Sequence, residues 1–162
     1  MAAEKTQETA ITFQCMSETL TGIIHLAQSA KTGVIIVVGG PQYRIGSHRQ
    51  FIQLARFLAN AGITVMRFDS RGMGDSSGEL VDFEQIQPDI NAAVEAFIAN
   101  QPTIEKVYLW ALCDAASAAL FYGYKDSRIS GMILLNPWVR TEAGEAKTYL
   151  KHYYLERALQ KD

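Results

Sequence analysis

The stretch from Lys106 to Tyr122, KVYLWALCDAASAALFY, decides the fold of this 162-residue chain. It begins with Val107 to Trp110, an apolar, β-branched and aromatic run that is typical of a strand. It continues with the Ala-rich segment Asp114 to Tyr122, whose spacing favours a helix. No Gly, Pro or polar linker separates the two. The chain must therefore turn from strand to helix within residues 111–115, which read A-L-C-D-A.

Such a corner can present a reactive side chain. Its central residue adopts a sparsely populated backbone conformation, and the residues two before and two after it must be small. Ala111 and Ala115 meet that requirement around Cys113. Because the positive end of the following helix favours a thiolate, Cys113 is the candidate nucleophile, and the Asp114 amide is a candidate oxyanion donor. The alternative is that Cys113 is one more buried small residue, as free Cys often is.

The bulk composition indicates an ordinary globular domain. The chain is 48% hydrophobic and 20% charged, and its length suits one domain with a real core. Its net charge of -2, with Lys and Arg scattered, favours binding to neither nucleic acid nor an anionic membrane. The polar N-terminus, MAAEKTQETA, has neither an apolar signal core nor a membrane-spanning run, so we expect a cytoplasmic protein without membrane insertion.

The cysteines and histidines do not form a disulfide or metal pattern. Cys15 and Cys113 lie far apart, and neither has a close Cys or His neighbour. His25, His48 and His152 are isolated as well. We therefore predict no metal and no cofactor. Cys15 and His25 fall within strand-like runs, where structural roles are expected.

The strand-like runs predict a mostly parallel sheet. Two of them, residues 11–16 and 20–28, predict an antiparallel hairpin at the edge of the sheet. A continuous apolar run at 34–38 is typical of a strand buried on both faces, the run at 64–68 predicts the next strand, and the run at 131–135 predicts a further buried strand.

Helical patterns lie between these strands. Ser47 and Gln50 form the sequence of a capping box and predict a helix start, and Gly62 predicts the end of that helix. A second helix is predicted to start near Pro88. The segment 141–162 is helix-prone and carries an aromatic stripe that we interpret as a packing surface.

A glycine-rich loop, residues 69–78 (DSRGMGDSSG), follows the strand at 64–68. A loop of this kind can cradle a phosphate. However, neither G-x-x-x-x-G-K-[ST] nor G-x-G-x-x-G is present. A doubly wound nucleotide-binding domain is therefore the weaker alternative.

Together these pieces resemble the α/β-hydrolase superfamily. Residues 111–115 resemble its G-x-S-x-G nucleophile elbow, residues 69–76 resemble its D-x-R-G-x-G-x-S loop, and residues 39–40 stand where its oxyanion loop belongs. More narrowly, GGPQYRIGSHRQF, RFDSRGMGDSSGE, LWALCDAASA and LLNPWVRTEAGEAKTYLKHYY look like the exosortase A system-associated hydrolase 1 group of bacterial proteins. This resemblance covers nearly the whole chain. It implies an α/β-hydrolase fold with helices on both faces of the sheet, and a link to a bacterial exopolysaccharide and protein-sorting system.

The resemblance assigns roles to individual residues. Cys113 takes the nucleophile role and the Asp114 amide that of one oxyanion donor. The second donor belongs to the loop after residue 40, and because Pro41 has no N–H, Gln42 is the candidate. In this fold the acid and the His follow the nucleophile on loops after later strands, which are missing here. His152, the only His after the corner, and His48, beside the oxyanion loop, are weaker candidates for the base.

The resemblance also suggests that the chain is incomplete. Residues 1–162 are interpreted as the N-terminal part of a single α/β-hydrolase domain, with its core at 11–140 and the start of a cap-like or lid-like helical segment at 141–162. A truncated piece is favoured over a natural half-domain, because a sheet that stops after Leu135 leaves an edge uncovered. We expect such a piece to form a homodimer through its C-terminal helix or its sheet edge.

Two functions from different classes compete. In the first, Cys113 attacks the ester or thioester carbonyl of a small acyl substrate. In the second, the chain is a noncatalytic module of the same fold that binds a small molecule or a partner protein, and Cys113 only fills the corner.

Overall fold

A computed structural model describes residues 7–39 and 42–137 of the chain. The strands in this part are β1 (Gln7–Cys15), β2 (Glu18–Leu26), β3 (Thr32–Val37), β4 (Thr64–Phe68), β5 (Lys106–Leu112) and β6 (Ile129–Leu135). They form one sheet in the order β1-β2-β4-β3-β5-β6. β2 pairs antiparallel with β1 and β4, whereas β3 pairs in parallel with β4 and β5, and β5 with β6. The predicted mostly parallel sheet with an N-terminal antiparallel hairpin is confirmed.

Helices lie on both faces of this sheet. They are α1 (Gln50–Asn60), α2 (Gln87–Asn100) and α3 (Asp114–Gly123) in the described part. Phe51 of α1 packs with Val34 and Ile36 of β3 in one core. The neighbouring residues Ile35 and Val37 belong to a second core, which they share with α2 and α3. Because successive side chains of a strand point to opposite faces, α1 covers one face of the sheet and the other two helices cover the other.

The hairpin buries the two residues for which structural roles were predicted. Cys15, the last residue of β1, is 3% exposed, and His25 of β2 is 0% exposed. The prediction that both are structural agrees with this burial. The hairpin turn is tighter than expected, because β2 already begins at Glu18.

The end of α1 is confirmed. Gly62 has a φ of +89°, which favours glycine. Its N–H donates to the Ala59 carbonyl at 3.1 Å, and the N–H of Ile63 donates to the Leu58 carbonyl at 3.0 Å. These two bonds form a Schellman motif, which satisfies carbonyls at the end of the helix.

The predicted capping box at the start of α1 is wrong. Ser47–Arg49 is a short 3₁₀ turn, and no side chain caps the helix that begins at Gln50. His48 and Arg49 have φ values of 50° and 61°. Because these left-handed residues separate Ser47 from the helix, its hydroxyl is not in the N-cap position.

The predicted helix start near Pro88 is confirmed, since α2 begins at Gln87 with Pro88 in its first turn. The prediction that residues 131–135 form a buried strand is wrong. β6 is the last strand of the described sheet, so one of its sides has no neighbouring strand there, and Ile133 and Leu135 are 48% and 38% exposed. The homodimer through this sheet edge stays a prediction, and sedimentation velocity would test it. The predicted segment 141–162 lies outside the described residues. None of the helices within residues 7–39 and 42–137 is long and apolar enough to cross a membrane.

Candidate active site

The backbone at Cys113 has the strained conformation expected of a nucleophile corner. Cys113 lies between β5 and α3 with φ 63° and ψ -128°, and its side chain is exposed. A non-glycine residue in such a region costs on the order of 1–3 kcal/mol, so the surrounding structure must hold it there. The Cys113 N–H donates to the Leu135 carbonyl at 2.9 Å, and the Cys113 carbonyl accepts from the Ala116 N–H at 3.0 Å. The last residue of β6 thus supports the corner directly.

The small residues around the corner are needed for close packing. Ala111 and Ala115 are both fully buried. Gly39, which follows β3, approaches the corner so closely that an added Cβ would lie 2.0 Å from Asp114 Oδ1 and 2.6 Å from the Ala115 nitrogen. The start of the predicted oxyanion loop therefore lies against the predicted nucleophile corner, although the two are distant in sequence.

The two predicted oxyanion donors lie at the start of α3 and in the loop after β3. Asp114 is the first residue of α3, where backbone N–H groups lack helical partners, and its Oδ1 accepts from the Ala115 N–H at 2.8 Å. Gln42 is half-buried, and its Oε1 accepts from Gln50 Nε2 at 3.3 Å. Their roles as oxyanion donors stay predictions.

An ion-pair cluster fixes the loop that carries Gln42. Asp69 is fully buried after β4, and it accepts the backbone N–H of Arg44 at 2.6 Å. The Arg44 guanidinium pairs with Asp69 and with Asp75. Arg67 Nη1 donates to the Arg44 carbonyl at 2.5 Å. Both backbone polar groups of Arg44 are therefore held by side chains that β4 and its following loop supply.

The sequence did not identify Arg44 or Asp69 as functional residues. In the sequence, Asp69 is only the first residue of the D-x-R-G-x-G-x-S loop, and Arg44 is only one residue of the run GGPQYRIGSHRQF. A polar residue directly after a buried strand was the one available indication for Asp69. Nothing in the sequence paired it with Arg44, 25 residues away.

The glycine-rich loop is bound to the rest of the protein. Arg71 forms a bidentate contact with buried Asp89 of α2, with nitrogen–oxygen distances of 2.8–3.1 Å. Ser76 Oγ donates to the Asp69 carbonyl at 2.7 Å and accepts from the Thr21 N–H at 2.9 Å. The loop thus connects β4 to the hairpin and to α2, which favours a structural role over phosphate binding.

Within the described residues, neither His25 nor His48 is hydrogen-bonded to Cys113. His48 is exposed in the 3₁₀ turn, where its carbonyl accepts from Gln53 Nε2 at 3.4 Å. His25 is buried, and its Nε2 accepts from Arg67 Nε at 2.8 Å. His152 lies outside the described residues. Among residues 7–39 and 42–137, no three His, Cys, Asp or Glu side chains are grouped as metal ligands would be.

His25 predicts a loss of stability in mild acid. Burial and then the nearby Arg67 cation lower the pKa of His25 from 6.5 to about 4. Between these pH values the unfolded chain binds a proton that the folded chain does not. The free energy of unfolding therefore falls as the pH drops from 6.5 to 4, by about 3 kcal/mol in total.

Urea unfolding at pH 7, 5.5 and 4.5 measures this effect. His25→Gln offers an oxygen that can accept from Arg67 but has no titratable ring, so its stability should fall less over the same range. Glu8, whose pKa is lowered chiefly by its hydrogen bond from Arg56, is present in both proteins, so its main contribution to the pH dependence is shared. An equal decline in both would contradict the assignment.

Comparisons of the sequence with known proteins place the chain among hydrolases. The family model described as serine aminopeptidase, S33, matches residues 28–160, which is most of the chain. A curated relative, the polyketide transferase grgF of a Penicillium species, is 31% identical over 90 residues. That alignment covers 53% of this chain and 31% of the relative.

Solved structures give the same fold. The crystal structure of the α/β hydrolase GrgF from Penicillium sp. sh18 matches with a TM-score of 0.75 and 22% identity, over 94% of this chain and 54% of that one. The esterase Pf2001 of Pyrococcus furiosus matches with a TM-score of 0.77 and 18% identity, over 93% of this chain and 59% of that one. The chain thus spans little more than half the length of these structures. Because the family model covers most of the sequence, the chain belongs to the serine aminopeptidase S33 family of α/β hydrolases.

Proposed function

We propose that this chain carries the nucleophile of an ester or thioester hydrolase, and that the nucleophile is Cys113. The observation that carries the proposal is the exposed thiol at a strained strand-to-helix corner, with φ 63°, at the start of α3. Backbone strain of this kind persists only where the surrounding structure enforces it, and residues with such strain cluster at active sites. The family is described as a serine enzyme, so a thiol at this position is a departure that changes the preferred substrate.

The proposed chemistry is acyl transfer through a covalent intermediate. The Cys113 thiolate attacks the carbonyl carbon, a C–S bond forms, and the carbonyl electron pair moves to oxygen. The amides of Asp114 and Gln42 stabilise that oxyanion. Collapse of the intermediate expels an alcohol or thiol, and water then releases the acid from the acyl-Cys113. A soft thiol suits activated acyl groups, so thioesters and lactones are the favoured substrates.

The proposal leaves the base to the part of the protein that follows the described residues. His152, or a His on a C-terminal extension, would take the thiol proton, and His48 is the alternative within the described residues. An assay of this chain beside a version extended at its C-terminal end separates these options. Hydrolysis by the extended version alone supports a base beyond Asp162, whereas hydrolysis by both supports His48 or His152.

The sequence runs that resemble the exosortase A system-associated group support an association with a bacterial exosortase and exopolysaccharide system. If a deletion strain exported polysaccharide at an unchanged level, that result would contradict the association. One relative is named a polyketide transferase. Transfer of the acyl group to an acceptor other than water is therefore included, and product analysis distinguishes the two.

Alkylation of the two cysteines tests the nucleophile assignment in the chain as it stands. Cys15 is an internal control, because it is buried and because burial, and next the Asp89 carboxylate, raise the pKa of its thiol. With iodoacetamide at pH 7, we expect Cys113 to be alkylated about 10²-fold faster than Cys15. Peptide mapping against time measures both rates. If Cys113 reacts more slowly than a thiol of the denatured chain, the noncatalytic binding module becomes the better interpretation.

A further inference from the structure

We propose that Arg44 and Asp69 are positioning residues that set the place of the Gln42 amide in the oxyanion site. This inference rests on the proposed function, because it assumes that Cys113 forms a tetrahedral adduct with an acyl carbonyl. It adds a role for two residues that lie on the loops after neighbouring strands, β3 and β4.

Described residues on both sides of Gln42 contact other parts of the protein. Three residues before it, Gly39 contacts Asp114 and Ala115 at the corner. Two residues after it, the Arg44 N–H is bound to Asp69 at 2.6 Å and the Arg44 carbonyl to Arg67 at 2.5 Å. A donor amide two residues from the Arg44 anchor is preorganised, which is the property that makes an oxyanion site effective.

The ion pair between Arg44 and Asp69 is largely buried. The Asp69 side chain is 0% exposed and that of Arg44 is 13% exposed. A buried carboxylate requires charged and hydrogen-bonded partners, and Asp69 obtains them from the Arg44 N–H, the Arg44 guanidinium and the Asp75 N–H at 3.2 Å. Because most of these donors come from Arg44, any movement of that residue leaves the buried charge unpaired. Arg44, two residues after Gln42, is therefore held in one position.

The residues around Asp69 leave room for its contact with Arg44. Gly74 has a φ of +52°, and a Cβ there would lie 2.1 Å from Asp69 Oδ2. The chain thus keeps space for the carboxylate. By contrast, Asp75 pairs with Arg44 from the surface, with a side chain that is 70% exposed. An exposed pair of this kind contributes less to rigidity than a buried one, so Asp75→Asn is a graded comparison for Asp69→Asn.

Two probes of the same thiol separate positioning from a general effect on the corner. Iodoacetamide alkylates Cys113 by displacing iodide, and no oxyanion forms. An aldehyde such as octanal adds to Cys113 to give a hemithioacetal, because the thiolate attacks the carbonyl carbon and the carbonyl electron pair moves to oxygen, which is then protonated. Only the second reaction uses the oxyanion site, and neither needs the complete catalytic cycle.

The variants are Arg44→Met, Arg44→Lys, Asp69→Asn and Asp75→Asn. For octanal, measured by its protection of Cys113, we expect Arg44→Met and Asp69→Asn to raise the dissociation constant by about tenfold or more, since removal of a single oxyanion donor costs about 10²-fold in kcat. Arg44→Lys should lie between wild type and Arg44→Met, because it keeps the charge but not the fork. Asp75→Asn should lose less affinity than Asp69→Asn, because the Asp75 side chain is 70% exposed. Iodoacetamide rates should agree within about twofold in all variants.

Three outcomes would overturn the inference. Unchanged octanal affinity in Arg44→Met and Asp69→Asn would show that the cluster does not position the donor. A parallel loss of alkylation and octanal binding would show a general effect on the corner. If wild type reacts with neither probe at Cys113, the proposed function fails and this inference fails with it. Thermal melting checks that each variant is folded. If Asp69→Asn does not fold, Arg44→Lys still tests the inference.

Discussion

Replacing Cys113 with alanine should reduce hydrolysis by at least about 10³-fold, to the level that binding and oxyanion stabilisation alone provide. The expected result follows from the proposed covalent step, since no other side chain at the corner can accept the acyl group. Cys113→Ser should also lose most of its activity, because a hydroxyl at this position needs a stronger base than a thiol does. Release of product from thioester and activated ester substrates measures the effect.

The control for this experiment is Cys15→Ser. Cys15 lies at the buried end of β1, away from the corner, so this change should lower stability more than activity. The two variants thus separate a chemical loss from a loss of folded protein, provided that activity is normalised to folded protein by circular dichroism. Equal activity of Cys113→Ala and wild type would remove Cys113 from the mechanism.

The fold could be predicted largely because its strands and corner have local causes. The run at 34–38 is apolar and branched and is buried throughout, and the absence of a linker between β5 and α3 leaves only one place for the reversal. Gly62 was recognised as a helix end because a left-handed residue is needed there. These features depend on neighbouring residues in the sequence.

The features that escaped prediction depend on distant residues. The capping box failed because His48 and Arg49 adopt left-handed conformations, for which the local sequence gives no reason. The contact between Arg44 and Asp69 exists only because β3 and β4 are neighbours in the sheet, which places their following loops together. The two candidates for the base, His48 and His152, stay predictions.

Gly39→Ala should lower kcat/KM by about 10²-fold, because the predicted oxyanion loop contacts the corner at Gly39. The added Cβ would lie 2.0 Å from Asp114 Oδ1 and 2.6 Å from the Ala115 nitrogen, so the loop or the corner must move. Displacements of about 1 Å between catalytic groups have effects of this size. The φ of Gly39 is not in the left-handed region, so the effect is steric rather than conformational.

Gly62→Ala is the matched control, because it has the opposite character. Nothing lies within 4 Å of a Cβ at this position, yet its φ of +89° is unfavourable for alanine. It should therefore destabilise the protein by about 1 kcal/mol without changing kcat/KM. Measuring kcat/KM and thermal stability for both variants compares a steric change at the site with a conformational change away from it. If Gly39→Ala lost stability but kept its activity, the loop after β3 could not be part of the oxyanion site. If it kept its stability and lost activity, the close approach of Gly39 to Asp114 and Ala115 would be required for the chemistry.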